Sequence, residues 1–217
     1  MKIHKLIIAV ILSALSLSLT AQENNPVTDN YTRLDLQFIL SQQGYRKHEV
    51  HYTNKHDQYG LGIDYLVGIN ITGHKLPLFV EIGPDINYTF RYEEVDYWDH
   101  SEKYYEEEIK NRKLSIGTPV NISYKIRLCD AISIAPYLGL NVKYNILAAS
   151  YYDDRKIDAF DDENANRFQL GWNIGFGFYF KNFYVGNKFY KDITPFIENR
   201  GAKVSFRNYY LNLGFKF

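Results

Sequence analysis

Residues Tyr209–Phe217 read YYLNLGFKF, a strict alternation of apolar residues with polar or slim ones. Tyr209, Leu211, Leu213, Phe215 and Phe217 fall on one face, and Tyr210, Asn212, Gly214 and Lys216 on the other, because strand side chains alternate with period two. The closing strand of a transmembrane β-barrel needs this arrangement. Its outer face meets hydrocarbon, and its inner face meets water or packed polar groups. A soluble sheet can carry the same period, so the rest of the chain has to choose.

The same period recurs upstream. Leu34, Leu36, Phe38 and Leu40 alternate with Arg33, Asp35, Gln37 and Ile39. Leu61 to Ile71 alternates with Gly62, Asp64, Leu66, Gly68 and Asn70. Further runs cover Leu78–Tyr92, Leu114–Ile126, Ile132–Ile146 and Phe168–Phe180, with a weaker one at Phe183, Val185 and Phe189, interrupted by Asn187. With the last stretch this makes eight strands, the smallest number that closes a membrane barrel. Several reach the roughly 9–11 residues of a tilted crossing. Short turns at 72–77, 127–131 and 181–182 alternate with long polar segments at 41–57, 93–112, 149–167 and 190–205. The expected fold is therefore all-β: an eight-stranded antiparallel up-and-down transmembrane β-barrel with short periplasmic turns, long extracellular loops and both termini periplasmic.

The other end of the chain points to export. Lys2 and Lys5 precede an almost unbroken apolar run from Leu6 to Leu19, with small residues up to Gln22, the layout of a secretory signal peptide. The run is too short for a spanning helix, which needs about 20 residues. Cleavage after Ala21 makes 1–21 the signal, 22–30 a short lead-in and 31–217 the barrel domain. Mean hydropathy is −0.35, and no second apolar run approaches spanning length, which excludes the helical membrane class. The 20 Tyr and 14 Phe supply aromatic girdles. With 25 basic and 25 acidic residues, no net field argues for nucleic acid. The single Cys129 cannot form an intramolecular disulfide; it reads as a free thiol in a turn.

Leu114 to Lys125, a short turn, and then Ile134 to Val142 carry a mid-strand Pro119, a Tyr124-Lys125 step, Pro136-Tyr137 and Gly139. This layout resembles the PorT-like outer-membrane β-barrel family. Asn141 stands where a second Gly is frequent, and Tyr31–Leu40 replaces a Gly-rich opening strand. The resemblance implies an eight-stranded outer-membrane protein, porin-like in architecture, and an association of some members with secretion machinery.

The inward phase collects charge. Asp35, Asp64, Glu81 and Asp85 come from the first strands, and Lys125, Lys143 and Lys216 from later ones. An eight-stranded bore is just wide enough for side chains to fill, and buried charges there have to be paired. Asp64 and Asp85 fall at one height on neighbouring strands, with Lys143 as the expected partner. The expectation is a lumen plugged by a Lys–carboxylate network; a proton or ion path is the alternative.

The external segments are acidic and Tyr-rich. Glu93, Glu94, Asp96, Asp99, Glu102 and Glu106–Glu108 interleave with Tyr92, Tyr97, Trp98, Tyr104 and Tyr105; Asp153, Asp154, Asp158 and Asp161–Glu163 form a second cluster. They read as a solvated surface, or as one that bridges cations to anionic lipid or binds a protein partner. No EF-type calcium spacing is present. His48, His51, His56 and His100 match no zinc motif, and Asp99-His100-Ser101 lacks the geometry of a nucleophilic site. The expectation is no catalytic, cofactor-binding or metal residue, no enzyme and no cofactor. The chain reads as a monomeric, non-enzymatic outer-membrane scaffold or interaction component whose partners are membrane lipid and a protein bound through the loops. Two rivals stay open: a soluble exported barrel holding a small apolar ligand, and an outer-membrane lipid-modifying enzyme.

Overall fold

The computed structural model describes residues 29–47, 50–73, 76–98, 104–152, 155–199 and 202–217. The signal segment 1–21 and most of the lead-in lie outside the described residues.

Twelve strand segments follow one another: β1 (Tyr31–Lys47), β2 (Val50–Asn70), β3 (Leu78–Ile82), β4 (Asp85–Trp98), β5 (Tyr104–Tyr124), β6 (Ile126–Arg127), β7 (Ile132–Tyr151), β8 (Lys156–Asp158), β9 (Phe168–Phe180), β10 (Phe183–Asp192), β11 (Ile197–Asn199) and β12 (Ala202–Lys216). They build eight staves. β3 and β4 form one stave interrupted at Gly83-Pro84, where proline has no N–H to give a ladder; the Pro84 carbonyl still accepts from the Tyr65 amide at 3.0 Å. β6 continues β5, while β8 and β11 are short strands in the upper connections, paired to β7 and β12. Each stave pairs antiparallel with its neighbours in sequence, and β12 pairs with β1 from Lys216↔Arg33 to Ala202↔Lys47. The ring is closed.

The alternation faces the way the last nine residues require. Leu36, Ile63, Ile86, Ile122, Leu138, Ile174 and Leu211 are exposed on the outer wall, whereas Asp35, Asp64, Asp85, Asn121, Asn141, Asn173 and Asn212 are buried inside. A soluble barrel with an apolar ligand needs the opposite arrangement. Aromatic rings bound the apolar band. Near the short turns stand Tyr124, Phe178, Phe180 and Phe217; at the other margin stand Tyr88, Phe90, Phe168, Trp172 and Tyr209. Trp172, Phe189 and Tyr209 pack in series at tilted angles, with centroids 5.4 and 5.1 Å apart. Such paired girdles mark the two membrane interfaces of a barrel.

Two of the long polar segments are not irregular loops. β1 runs up to Lys47 and β2 starts at Val50, while β4 and β5 stay paired out to Trp98↔Tyr104. Polar composition does not end a strand when its hairpin partner stays alongside, because the ladder bonds are backbone groups. The segments after β7 and β10 are true loops, and they fold inward over the mouth. Ala148, Ala159, Phe196 and Phe206 form a small core there, flanked by Phe160 and Ala165. Asn166 ties the two loops together through its amide to Phe196 O (2.7 Å) and its side chain to Pro195 O (2.9 Å).

Candidate functional site

The chemistry of this chain is concentrated in the lumen, which is filled in three tiers. Its inward groups come from every stave because each contributes its even or odd phase to the interior. Among the described residues, Arg33, Lys113, Lys125, Lys143 and Lys188 stand inside with Asp35, Asp64, Glu81, Asp85 and Asp192, and Lys216, on the same inward phase of β12, is half-buried. Charges of both signs let a narrow interior hold many of them.

The tier nearest the short turns is built on Arg33. Its Nε donates to both Asp35 oxygens at 2.9 Å, and its Nη1 lies 3.7 Å from Glu81 Oε1. The same guanidinium donates to the Tyr179 hydroxyl and sits 3.7 Å above the Tyr184 ring. Glu81 also accepts from the Tyr31 and Ser123 hydroxyls. Lys125 Nζ lies 3.1 Å from the Tyr31 ring centre, a cation–π contact in a desolvated site. Tyr184 needs room: a Cβ on Gly177 would fall 2.0 Å from its ring and one on Gly186 2.2 Å from its hydroxyl. The two glycines are the slot in which that ring lies.

At the waist three carboxylates stand in one row. Asp35 pairs with Asp64, and Asp64 with Asp85, in direct register across β1, β2 and β4. The shared height of Asp64 and Asp85 agrees with the spacing in the sequence. Their cation does so in part, since the Lys143 charge acts on Asp85 but not on Asp64. Lys188 on β10 lies 3.8 Å from Asp64 Oδ2, while Lys143 turns toward the upper tier. Asp64 also accepts from Gln37 (3.2 Å) and Asp85 from Asn141 (3.1 Å). Gln37, Asn87, Asn121, Asn141, Asn173 and Asn212 each keep a buried side-chain polar atom without a hydrogen-bond partner among the described residues. Buried polar groups are satisfied by protein or by water, so this ring of amides is a tier that internal water suits.

The upper tier closes the bore. Lys143 donates to Tyr210 (3.0 Å) and lies 3.5 Å above the Tyr190 ring. Asp192 accepts from Tyr190 (2.6 Å), Gln169 (2.8 Å) and the Phe206 amide (2.7 Å). Lys113 donates to Gln169 (3.1 Å) and sits 3.9 Å above Phe206, under the loop core. The cavity between these groups measures about 10 Å³, room for about one water.

The remaining candidates fall elsewhere. His48, His100, Asp99 and Ser101 lie outside the described residues, as do Asp153 and Asp154. His51 and His56 lie on β2. Among the described residues no group of His, Cys, Asp and Glu could hold a metal. Cys129 is exposed in its turn. Arg33 and Lys188 were not among the expected inward cations, although the phase of their strands carries both.

The model of the family described as outer membrane protein beta-barrel domain matches residues 7–217. No curated protein matches the chain. Among solved structures, Neisserial surface protein A aligns at 14% identity and a TM-score of 0.44, over 87% of this chain and 97% of that one. Ail, the attachment invasion locus protein of Yersinia pestis, in complex with the heparin analogue sucrose octasulfate, aligns at 13% and 0.40, over 86% and 99%. The outer membrane protein OprG from Pseudomonas aeruginosa aligns at 10% and 0.38, over 87% and 95%.

Proposed function

Since this chain belongs to the outer membrane protein β-barrel domain family, we propose that it is a non-enzymatic surface scaffold or interaction component with a lumen shut to ions. The observation that carries this reading is the filled interior. Arg33–Asp35–Glu81 crosses the bore at one end, Lys143–Tyr190–Asp192 crosses it at the other, and the loop core caps the second. An ion entering would have to part desolvated charge pairs, and breaking one such pair costs about 3–5 kcal/mol. Planar-bilayer recording of the purified protein tests it. The expected result is no steady conductance; a stable open level overturns the plug.

With a sealed bore, interaction falls to the outer surfaces. The β4–β5 hairpin, carrying Glu93, Glu106 and Tyr92 among its acidic and aromatic residues, continues beyond the upper girdle and offers a surface for a protein partner. In this reading 1–21 is the cleaved signal, the short turns and both termini are periplasmic, and the kinship lies with PorT-like barrels. The upper connections, with their short strands and loop core, support that orientation, since barrels place their longer connections outside. Pull-down from intact cells with wild type and with a chain shortened at the hairpin tip separates the roles. A partner lost only from the shortened chain supports the scaffold; identical capture by both removes the hairpin from it.

A further inference from the structure

From the outer wall we infer that Lys191 on β10 and Arg207 on β12 bind the phosphate of a membrane lipid headgroup. The two residues are partners in direct register. Their chain neighbours Tyr190, Asp192, Phe206 and Asn208 are buried, so both belong to the outward phase of their strands, where they are partly exposed. Like charges directly opposite one another on a sheet destabilise it. Neither side chain has an ion pair, hydrogen bond or ring contact among the described residues. Gln42 follows Arg207 in the same row, and the carboxylate beyond it, Asp57, accepts from Gln42 at 3.1 Å.

The pair stands out from the other cations outside the lumen at this end. Arg91, Lys110, Lys156 and Lys203 each meet a carboxylate, and Arg112, Arg155 and Arg167 lie over aromatic rings. Among those whose side chains are described, Lys191 and Arg207 alone lack both.

Depth decides the occupant. Phe189 and Tyr209 of the upper girdle, packed at 5.1 Å, are the register pair two residues below. Two strand residues rise about 7 Å along the chain, which a tilt of about 35–45° reduces to about 5 Å along the membrane normal. The headgroup zone of one leaflet extends about 5–8 Å beyond the hydrocarbon. The two cations therefore stand level with the lipid phosphates, and Leu211 and Leu213 continue below the girdle as an apolar strip for the acyl chains. Arg holds a phosphate through parallel N–H donors, and Lys holds it as a point charge. With the orientation proposed above, the lipid belongs to the outer leaflet.

The test uses the full barrel with Trp98→Phe, which leaves Trp172, the register neighbour of Lys191, as its sole tryptophan. The protein is placed in phosphatidylcholine vesicles containing an equal fraction of either brominated phosphatidic acid or brominated phosphatidylcholine. Quenching of Trp172 reads the association of each. Phosphatidic acid should associate more strongly, by about five-fold or better. Lys191→Gln with Arg207→Gln should abolish that preference while keeping the circular dichroism of the folded barrel. Arg112→Gln with Lys156→Gln, which removes the same charge from partnered cations, should keep it. Equal quenching by the two lipids in the parent, an unchanged preference without Lys191 and Arg207, or the same loss in the charge-matched control overturns the site. The vesicles carry the brominated lipid in both leaflets, so an inverted barrel, detected by labelling Cys129, or an open lumen leaves this result intact.

Discussion

Lys188 Nζ and Asp64 Oδ2 lie 3.8 Å apart, both side chains 3% exposed, and the two residues come from strands on different sides of the ring. Asp64 stands between Asp35 and Asp85 in direct register, so this lysine neutralises the centre of a carboxylate row. Lys188→Met should therefore cost about 3–5 kcal/mol by leaving a buried charge uncompensated. Adding Asp64→Asn should recover much of it. Urea unfolding in lipid, read as a double-mutant cycle, checks the coupling; additive penalties would detach the two residues.

The outer and inner phases should answer differently to the same stretch of strand. Ile122→Arg places a charge against hydrocarbon one pleat inside the Tyr124 girdle and should cost about 1–3 kcal/mol, less than the roughly 2–4 of a midplane site. Asn121→Ser, one residue earlier and inside, should cost far less. Equal losses in unfolding free energy would contradict the assignment of faces.

Tyr184 lies in a slot left by Gly177 and Gly186. Gly177→Ala should destabilise by about 1–3 kcal/mol through overpacking. In a Tyr184→Ala background the same change should be nearly free. Persistence of the full penalty there would mean that the glycine serves the backbone instead of the ring.

Outside the membrane, the Asp158 carboxylate accepts from the Phe160 amide at 3.0 Å. That hydrogen bond holds its pKa below the usual aspartate value of 3.8. A lowered folded pKa stabilises the turn above the unfolded value, and the benefit is lost as pH falls through the folded one. Amide exchange at Phe160 should thus stay protected at neutral pH and open only in strong acid. Asp158→Asn should remove the pH dependence; an unchanged acid profile in that variant would assign the opening to another group.

Cys129 is the free thiol of a short turn. With the orientation proposed above, a membrane-impermeant maleimide should label it only after the outer membrane is breached. Labelling on intact cells would invert the barrel.

Period-two alternation, repeated over eight stretches of the chain, was enough to read the architecture, because the solvent on each side of a barrel wall imposes it directly on every second residue. It carried the strand number, the outward faces and the shared height of Asp64 and Asp85. It extended even to Lys188 and Asp192, which share the phase of Tyr184 and Tyr190, but the polar Asn187 on the outer face disguised that strand. What alternation does not encode is which inward groups meet. Lys143 and Lys188 are equally inward, and the reach of each across the bore, past Tyr190 and Tyr210, decides which one lies beside Asp64. The length of the hairpins beyond the membrane and the folding of two loops over the mouth were also set in three dimensions. They depend on backbone ladders and on contacts such as Phe196 with Phe206, which join residues whose spacing carries no period.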